Sequence, residues 1–440
     1  MNKKKKINFA LLGLGKLGQG FYRIWEQKRA DILEETSFDL ELKKILVRNE
    51  QFKRPSFVDH DLITVDLTEI LSDDSISIVV DAIGGIEPTY SIIKKTIEHG
   101  KHLVSANRML LASKMSQLAE LANKHKIYIQ PEPSLGGGVP IISAIQRDLL
   151  ANDIHQLIGI LSGTSNYILS EMTAREASLK EVLKLPAVQK MGETLSVIDY
   201  EGSDAAQKIA ILAASSFGVE VNYLHIHAEG IADIDLLDIQ SAKELGYEIK
   251  LLAILKEHQD SFEIRIHPTF VPRDHPLTLV RQEYTAYFIE TDLLGDYMLY
   301  GKGVGIEATS SLLLRDIVAI ASLSYKTSRR DNYKLDWNGK SILPIEDIHS
   351  GYYLRFPCTD KPGVIGEITR ILGQHEINIA SAHAEVHRQE SSDIGYVHIL
   401  IEEATEKDVK KSIDEIARLP FIRNKIKLFR TLQGVVSKVL

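Results

Sequence analysis

An apolar run from Ile7 to Leu12 leads directly into Gly13-Leu14-Gly15-Lys16-Leu17-Gly18 and then into a helical pattern. This turn constrains the chain more than any other feature. Glycine at the first position allows a tight turn, at the second lets backbone approach a pyrophosphate, and at the third packs helix against strand. The helix that follows presents its N-terminus to the phosphates. A lone G-x-G-x-x-G is a weak signal, but this one follows a strand, opens a helix and begins a longer alternation. LELKKILVR, ITVD, ISIVVDAIGG, KHLVSAN and KIYIQPEPS read as further strands. Helices run to about Leu33, over PTYSIIKKTIEHG, and to about His125. Strands separated by helices of about 10–15 residues predict a parallel sheet with crossover helices.

The middle of the chain changes character. PSLGGGVPIISAIQRDLLAND is a glycine-rich turn opening a helix, HQLIGILSGTSNYIL a strand, small polar loop and helix, and DAAQKIAILAASSFG an alanine-rich helix. From about Tyr247 to Gly301 helix and antiparallel strands alternate, including TAYFIET and YMLYG joined by DLLGD, which predicts a mixed sheet of α+β type. A helix from about Thr309 to Ser322 follows, then a polar, poorly periodic stretch that reads as a linker. The remainder reads strand, helix, strand, strand, helix, strand, a βαββαβ module. After a linker, such a module is expected to fold as a separate unit, so a chain ending near Asp331 is expected to stay folded.

With 440 residues, the chain has room for about three domains. Its 44% hydrophobic and 25% charged residues are those of a globular protein, and a net charge of -8 argues against a nucleic-acid binder. Cys358 is the single cysteine, which excludes an intramolecular disulfide and a multi-cysteine metal site. No apolar run approaches the ~20 residues of a membrane helix. The lysines before Ile7 read as a solvated tail, and the protein as cytoplasmic with no membrane partner.

Two groups of residues carry candidate chemistry. The second strand ends in Val47-Arg48-Asn49, where NAD sites place an acid. Arg48, with Lys53 or Arg54 nearby, suits a 2′-phosphate, so NADP is expected, with NAD as the alternative. Arg48 also reads as a plain solvated loop charge. Asp204 and Lys208 are four apart, hence on one helix face. A lysine can serve as proton donor and acceptor at a carbonyl being reduced if burial lowers its pKa, and an aspartate beside it can bind an ammonium. Spacing alone describes a surface ion pair equally well, and that is the commoner case.

LLGLGKLG, VVDAIGGIEPT, KHLVSAN, GGGVPI, GILSGTSNYIL, EGSDAAQK and YGKGVG occur in one order over residues 7–325. Together they resemble the homoserine dehydrogenase family, followed over 351–431 by a module resembling an ACT domain. The resemblance implies NAD(P)-dependent interconversion of L-homoserine and L-aspartate 4-semialdehyde. It also implies an α/β architecture. A Rossmann dinucleotide-binding domain spans 1–138, and an α+β catalytic and dimerisation domain with a mixed sheet spans 139–305. A helix at 306–325 returns to the nucleotide domain. A linker at 326–350 and a ferredoxin-like ACT regulatory domain at 351–432 complete the chain. Assembly as a homodimer or homotetramer is expected.

Site residues carry over by position. Lys208 and Asp204 are the implied catalytic pair, with Glu193, Asp199 and Asp204 holding the substrate. Gly13 to Gly18, Arg48, Asn107, Arg108, Gly303 and Gly305 are implied at the cofactor. Glu132, Leu135, Gly137 and Val139 are implied to hold a monovalent cation, sodium or potassium, through oxygen ligands. Glu132 reads equally as an acid capping the glycine loop. In the C-terminal module Asp360-Lys361-Pro362-Gly363 and the stretch from Asn378 to Ala382, Asn378 and Ala380 above all, are implied at an amino-acid effector site, with a ligand-free dimerisation module as the alternative.

The chain departs from the family at three places. Gly192-Glu193-Thr194-Leu195 replaces a stretch resembling GYAEADPTxD, Arg108 stands where the family has lysine, and Ala308 replaces a proline. Two other readings follow from these departures. One is a catalytically impaired homologue acting as an amino-acid sensor, the other a related dehydrogenase with altered substrate.

Overall fold

The structure is a computed structural model that describes residues 4–49, 55–191, 201–326, 337–386 and 394–432. The first part of the chain forms β1 (Lys5–Leu12), α1 (Lys16–Thr36), β2 (Phe38–Leu46), β3 (Ile63–Thr64), β4 (Ile76–Asp81), α2 (Thr89–Glu98), β5 (His102–Ser105), α3 (Arg108–His125) and β6 (Ile129–Gln130). Next come β7 (Ile154–Ile160), α4 (Gly163–Arg175), α5 (Ser203–Phe217), β8 (His227–Ala228), α6 (Leu236–Glu244), β9 (Tyr247–Glu257), β10 (Ser261–Pro272), β11 (Tyr284–Thr291), β12 (Asp296–Lys302) and α7 (Ile306–Lys326). The last part holds β13 (Ser341–Ile342), β14 (His349–Thr359), α8 (Val364–Gln374), β15 (Ile379–Val386), β16 (Ile394–Thr405), α9 (Glu406–Ile416) and β17 (Lys427–Thr431). No helix among the described residues is long and apolar enough to cross a membrane.

These elements gather into two units. The first contains Met1–Ile154, Asp204–Ile226 and Glu283–Lys340. Its parallel sheet has the order β3-β2-β1-β4-β5-β6, as the alternating pattern predicts. Phe9, Ala10, Leu11 and Leu12 of β1 are all fully buried, because helices cover both faces. Phe21 and Trp25 of α1 meet Phe9 edge-on, at 6.0 and 5.9 Å between centroids. Leu313, Ile317 and Ile320 of α7 enter the same core, so a helix distant in sequence closes this unit. β11 and β12 form the antiparallel hairpin around DLLGD.

The second unit contains His155–Ser203, His227–Gln282 and Ser341–Leu440. Its strands run in the order β7-β9-β10-β17-β14-β16-β15. The βαββαβ order of the C-terminal module is as read from the sequence. Tyr352, Leu354, Phe356, Ile368, Ile371, Val397, Ile399 and Val409 form its core.

The structure corrects one expectation here. The C-terminal module is not independent, because β17 pairs with β10 and Tyr353 stacks on Phe270 at 4.5 Å. Arg355 reaches Asp235 and Asp238 at 2.8 and 2.6 Å. The second half of the polar linker is also tied down, since β13 pairs with β10.

Candidate active site

The glycine turn joins β1 to α1 at the carboxyl end of the parallel sheet, where strand order reverses between β2 and β4. Ligands of open α/β sheets bind in this crevice. A Cβ on Gly13 would lie 2.9 Å from the carbonyl oxygen of Ala82, and one on Gly18 would collide with the Gly13 carbonyl. Gly15 instead faces open space. No side chain caps the first turn of α1, and that turn holds no acid. Free amides and the positive helix end therefore face the groove, which fits a pyrophosphate. Lys16 is exposed beside them, and the buried Leu14 holds its carbonyl against Gln19 Nε2 at 3.0 Å. Leu17 lines a cavity of about 280 Å³ with Ala82 to Gly85, Ala106 to Met109 and Gln207. A cavity of this kind beside an uncapped helix fits a nicotinamide dinucleotide.

A buried network braces that cavity. Asp81, the last residue of β4, accepts hydrogen bonds from the Ile83 amide at 2.9 Å and the Ser105 hydroxyl at 2.8 Å. Burial raises its carboxyl to about 7 despite both bonds. Ser105 Oγ accepts from the Asn107 amide at 3.1 Å. Asn107 caps α3 through Oδ1 and donates through Nδ2 to the Gly85 carbonyl at 2.8 Å. Asp81 and Ser105 escaped the sequence reading. The available signal was an acid ending an otherwise apolar strand.

Arg48 lies exposed two residues beyond β2, and the Gly13 amide donates to the Leu46 carbonyl at 2.9 Å, which sets that strand end beside the glycine turn. Lys53 and Arg54 lie outside the described residues.

On α5, every residue from Ala205 to Ser215 is buried. Lys208 has a side chain only 4% exposed, with Nζ 2.8 Å from Oδ2 of Asp204, so the two are not a solvated surface pair. Oδ1 of Asp204 pairs with Nη1 of Arg108, whose Nε donates to the Ser134 carbonyl at 2.9 Å. Gly136 has φ of 74°, and a Cβ there would sit 2.9 Å from Arg108 Nη2 and 3.9 Å from Lys208 Cε. Only glycine leaves that guanidinium in place. The Gly138 amide donates to the Lys302 carbonyl at 2.9 Å and the Gly303 amide to the Glu283 carbonyl at 3.1 Å, so the two glycine loops lie together. Gly305 directly precedes α7. Tyr287, fully buried, feels the charges of both Glu132 and Arg108, and burial raises its phenol.

A family profile described as homoserine dehydrogenase matches residues 140–318, and one described as homoserine dehydrogenase, NAD binding domain, matches 13–131. A homoserine dehydrogenase of Synechocystis sp. is 35% identical over 97% of this chain and 99% of its own length. The chain belongs to the homoserine dehydrogenase family. An ACT domain profile matches residues 352–421. A homoserine dehydrogenase of Helicobacter pylori is 34% identical over 97% of this chain and 99% of its own. The crystal structure of a homoserine dehydrogenase from Thiobacillus denitrificans superposes with a TM-score of 0.90 at 31% identity, covering 98% of this chain and 99% of that one. This member of the homoserine dehydrogenase family is therefore an oxidoreductase with a nucleotide-binding parallel sheet, a mixed catalytic sheet and a C-terminal ACT domain.

Other residues implied by that family are placed less simply. The Glu132 carboxylate, expected at a cation, meets three protein donors. It accepts the Ile142 and Ser143 amides, both at 2.8 Å, and pairs with Arg315 at 3.2 Å. The side chain thus caps the helix that follows the glycine loop and keeps lone pairs beyond these donors. Leu135 is buried, and the Val139 carbonyl already accepts the Ile141 amide at 3.0 Å. Arg315 also pairs with the buried Asp316, whose carboxyl burial raises to about 7. Neither α7 residue was singled out from sequence.

In the ACT domain, Asp360 and Gly363 sit past the end of β14, at the level of Ile394. Asn378 and Ala380 sit at the level of Ile401, the other end of the sheet. One chain does not bring the two stretches together. Glu193 and Asp199 lie outside the described residues.

Proposed function

We propose that this chain interconverts L-aspartate 4-semialdehyde and L-homoserine, with NADP as its preferred cofactor. The buried Asp204–Lys208 pair beside the nucleotide cavity carries the reading. When bound, the nicotinamide supplies hydride to the aldehyde carbon or takes it back. Lys208 Nζ gives a proton to the oxygen on that carbon during reduction and recovers it during oxidation. Asp204 positions Lys208. Its carboxylate has lone pairs beyond those engaged by Arg108 and Lys208, so it also receives the substrate ammonium, together with Glu193 and Asp199. Arg108, which lines the cavity, orients anionic groups. Arg48 at the end of β2 supports a 2′-phosphate. A monovalent cation would be held by Glu132, Leu135, Gly137 and Val139 through oxygen, since the Glu132 carboxylate and the Val139 carbonyl keep lone pairs beyond their protein donors.

The ACT match supports an amino-acid effector. Leu150, Leu293 and Leu294 are 79, 71 and 58% exposed on two loops joined by a bond from the Leu294 amide to Asn152 at 3.1 Å. Such a patch supports self-association, as homodimer or homotetramer. Oxidation of NADPH by the purified chain with L-aspartate 4-semialdehyde tests the reading. Arg108, in place of the family lysine, favours a second one, a lapsed enzyme retained as a sensor. That reading requires amino-acid binding without turnover.

A further inference from the structure

Three short strands lie end to end along one edge of β10, all parallel to it. β13 meets Ser261 and Phe262, β8 meets Arg265 and Ile266, and β17 meets Thr269 and Phe270. β8 and β17 are thus neighbours, although β17 closes the ACT domain. Glu229 follows β8, and its amide donates to the Ile266 carbonyl at 2.8 Å. Arg430 of β17 is 1% exposed, and a charge so buried persists only when paired. Its Nη1 and Nη2 reach the two carboxylate oxygens of Glu229 at 3.1 and 3.0 Å, and its Nε reaches Glu406 at 2.8 Å. His227 Nε2 lies 2.7 Å from Oε1 of Glu229, the oxygen that Arg430 Nη2 also reaches. Burial opposes ionisation of Glu229, yet His227 and Arg430 hold its carboxyl down at about 2.

The backbone of Glu229 has a separate role. Gly202 has φ of 80°, and a Cβ there would lie 3.0 Å from the Glu229 carbonyl oxygen and 3.5 Å from Ile266 Cγ2. Glycine is required at that turn because Glu229 stands against it. Gly202 immediately precedes α5, the helix that carries Asp204 and Lys208.

We propose that Arg430 is a positioning residue for the reaction: by clamping Glu229 it fixes the turn at Gly202, and with it the start of the helix bearing Asp204 and Lys208. The inference rests on that pair as the reacting groups. A bidentate fork fixes orientation as well as charge, so lysine at 430 serves only in part.

The test compares the full-length chain with Arg430→Met, Arg430→Lys and Glu229→Gln. Expected are a kcat about tenfold lower or more in Arg430→Met and Glu229→Gln, an NADPH Kd within about twofold, and partial recovery in Arg430→Lys. Amide hydrogen exchange over 204–208 should quicken in the same order, while β4 and β5 stay unchanged. If Arg430→Met fails to fold, Glu229→Gln decides, since it keeps the shape and loses one charge. Folded variants with a lower melting temperature but unchanged kcat and exchange would overturn the proposal. If Lys208→Ala kept full turnover, the assignment of the pair would fail, while the exchange data would still report whether Arg430 holds the helix.

Discussion

Oδ2 of Asp204 lies 2.8 Å from Nζ of Lys208, while Oδ1 of the same carboxylate pairs with Arg108. One partly buried acid thus holds two cations, one from α5 and one from α3. If Arg108 acts by placing charge, Arg108→Lys should change kcat by no more than about tenfold, or ~1.4 kcal/mol. Steady-state kinetics of the variant check this. A sharp gain in activity would instead mark the natural arginine as the lesion of a lapsed enzyme.

Asp81 makes a prediction about pH. Its folded carboxyl titrates at about 7 against an ordinary 3.8. Between those values the folded chain holds a proton that the unfolded chain has released, so stability falls as pH rises through this window. Asp81→Asn removes the charge and keeps the shape. It should flatten the pH dependence of the melting temperature and stabilise the protein above about pH 7, by an amount on the order of a few kcal/mol at most. A wild-type slope retained in the variant would assign the effect to other groups, Asp316 first.

Arg48 should set cofactor preference. Titration of Arg48→Ala with NADPH and NADH is expected to show the affinity ratio reduced by about tenfold, the loss of a partly exposed charge-assisted contact. An unchanged ratio would leave Arg48 as a solvated loop charge.

Much of this was legible locally. The glycine turn, the buried runs of β1 and β4 and the βαββαβ order follow from periodicity within short windows. Features formed by distant segments left no local mark. An acid at Glu132 reads the same whether it meets a cation or two amides and Arg315, because Arg315 arrives from α7. The junction of β17 with β10 was likewise hidden, and the polar stretch before β14 suggested a free module. Spacing alone left Asp204 and Lys208 as a surface pair, but the apolar, alanine-rich sequence around them pointed inward, and α5 is buried from Ala205 to Ser215.

That junction predicts the outcome of truncation. A chain ending at Lys340 loses β13 and β17 from the edge of β10, the stack on Phe270, and the partners of Glu229 and Asp238. Asp238, fully buried, costs about 3–5 kcal/mol when left without its cation, while Glu229, with a side chain 39% exposed, adds less. The shortened chain should be insoluble or melt well below the full-length protein in calorimetry. A soluble product melting at the same temperature would show that the edge of β10 does not need the ACT domain.

If Lys208 moves the proton at the carbonyl being reduced, its removal should slow the chemistry and spare cofactor binding. The most direct measurement is single-turnover NADPH oxidation with L-aspartate 4-semialdehyde, on the full-length chain and Lys208→Ala, with NADPH affinity measured alongside. Turnover is expected in the wild type, with a loss of about a hundredfold or more in the variant and NADPH affinity within about twofold. Equal losses in rate and cofactor affinity, or a variant as fast as the wild type, would contradict it.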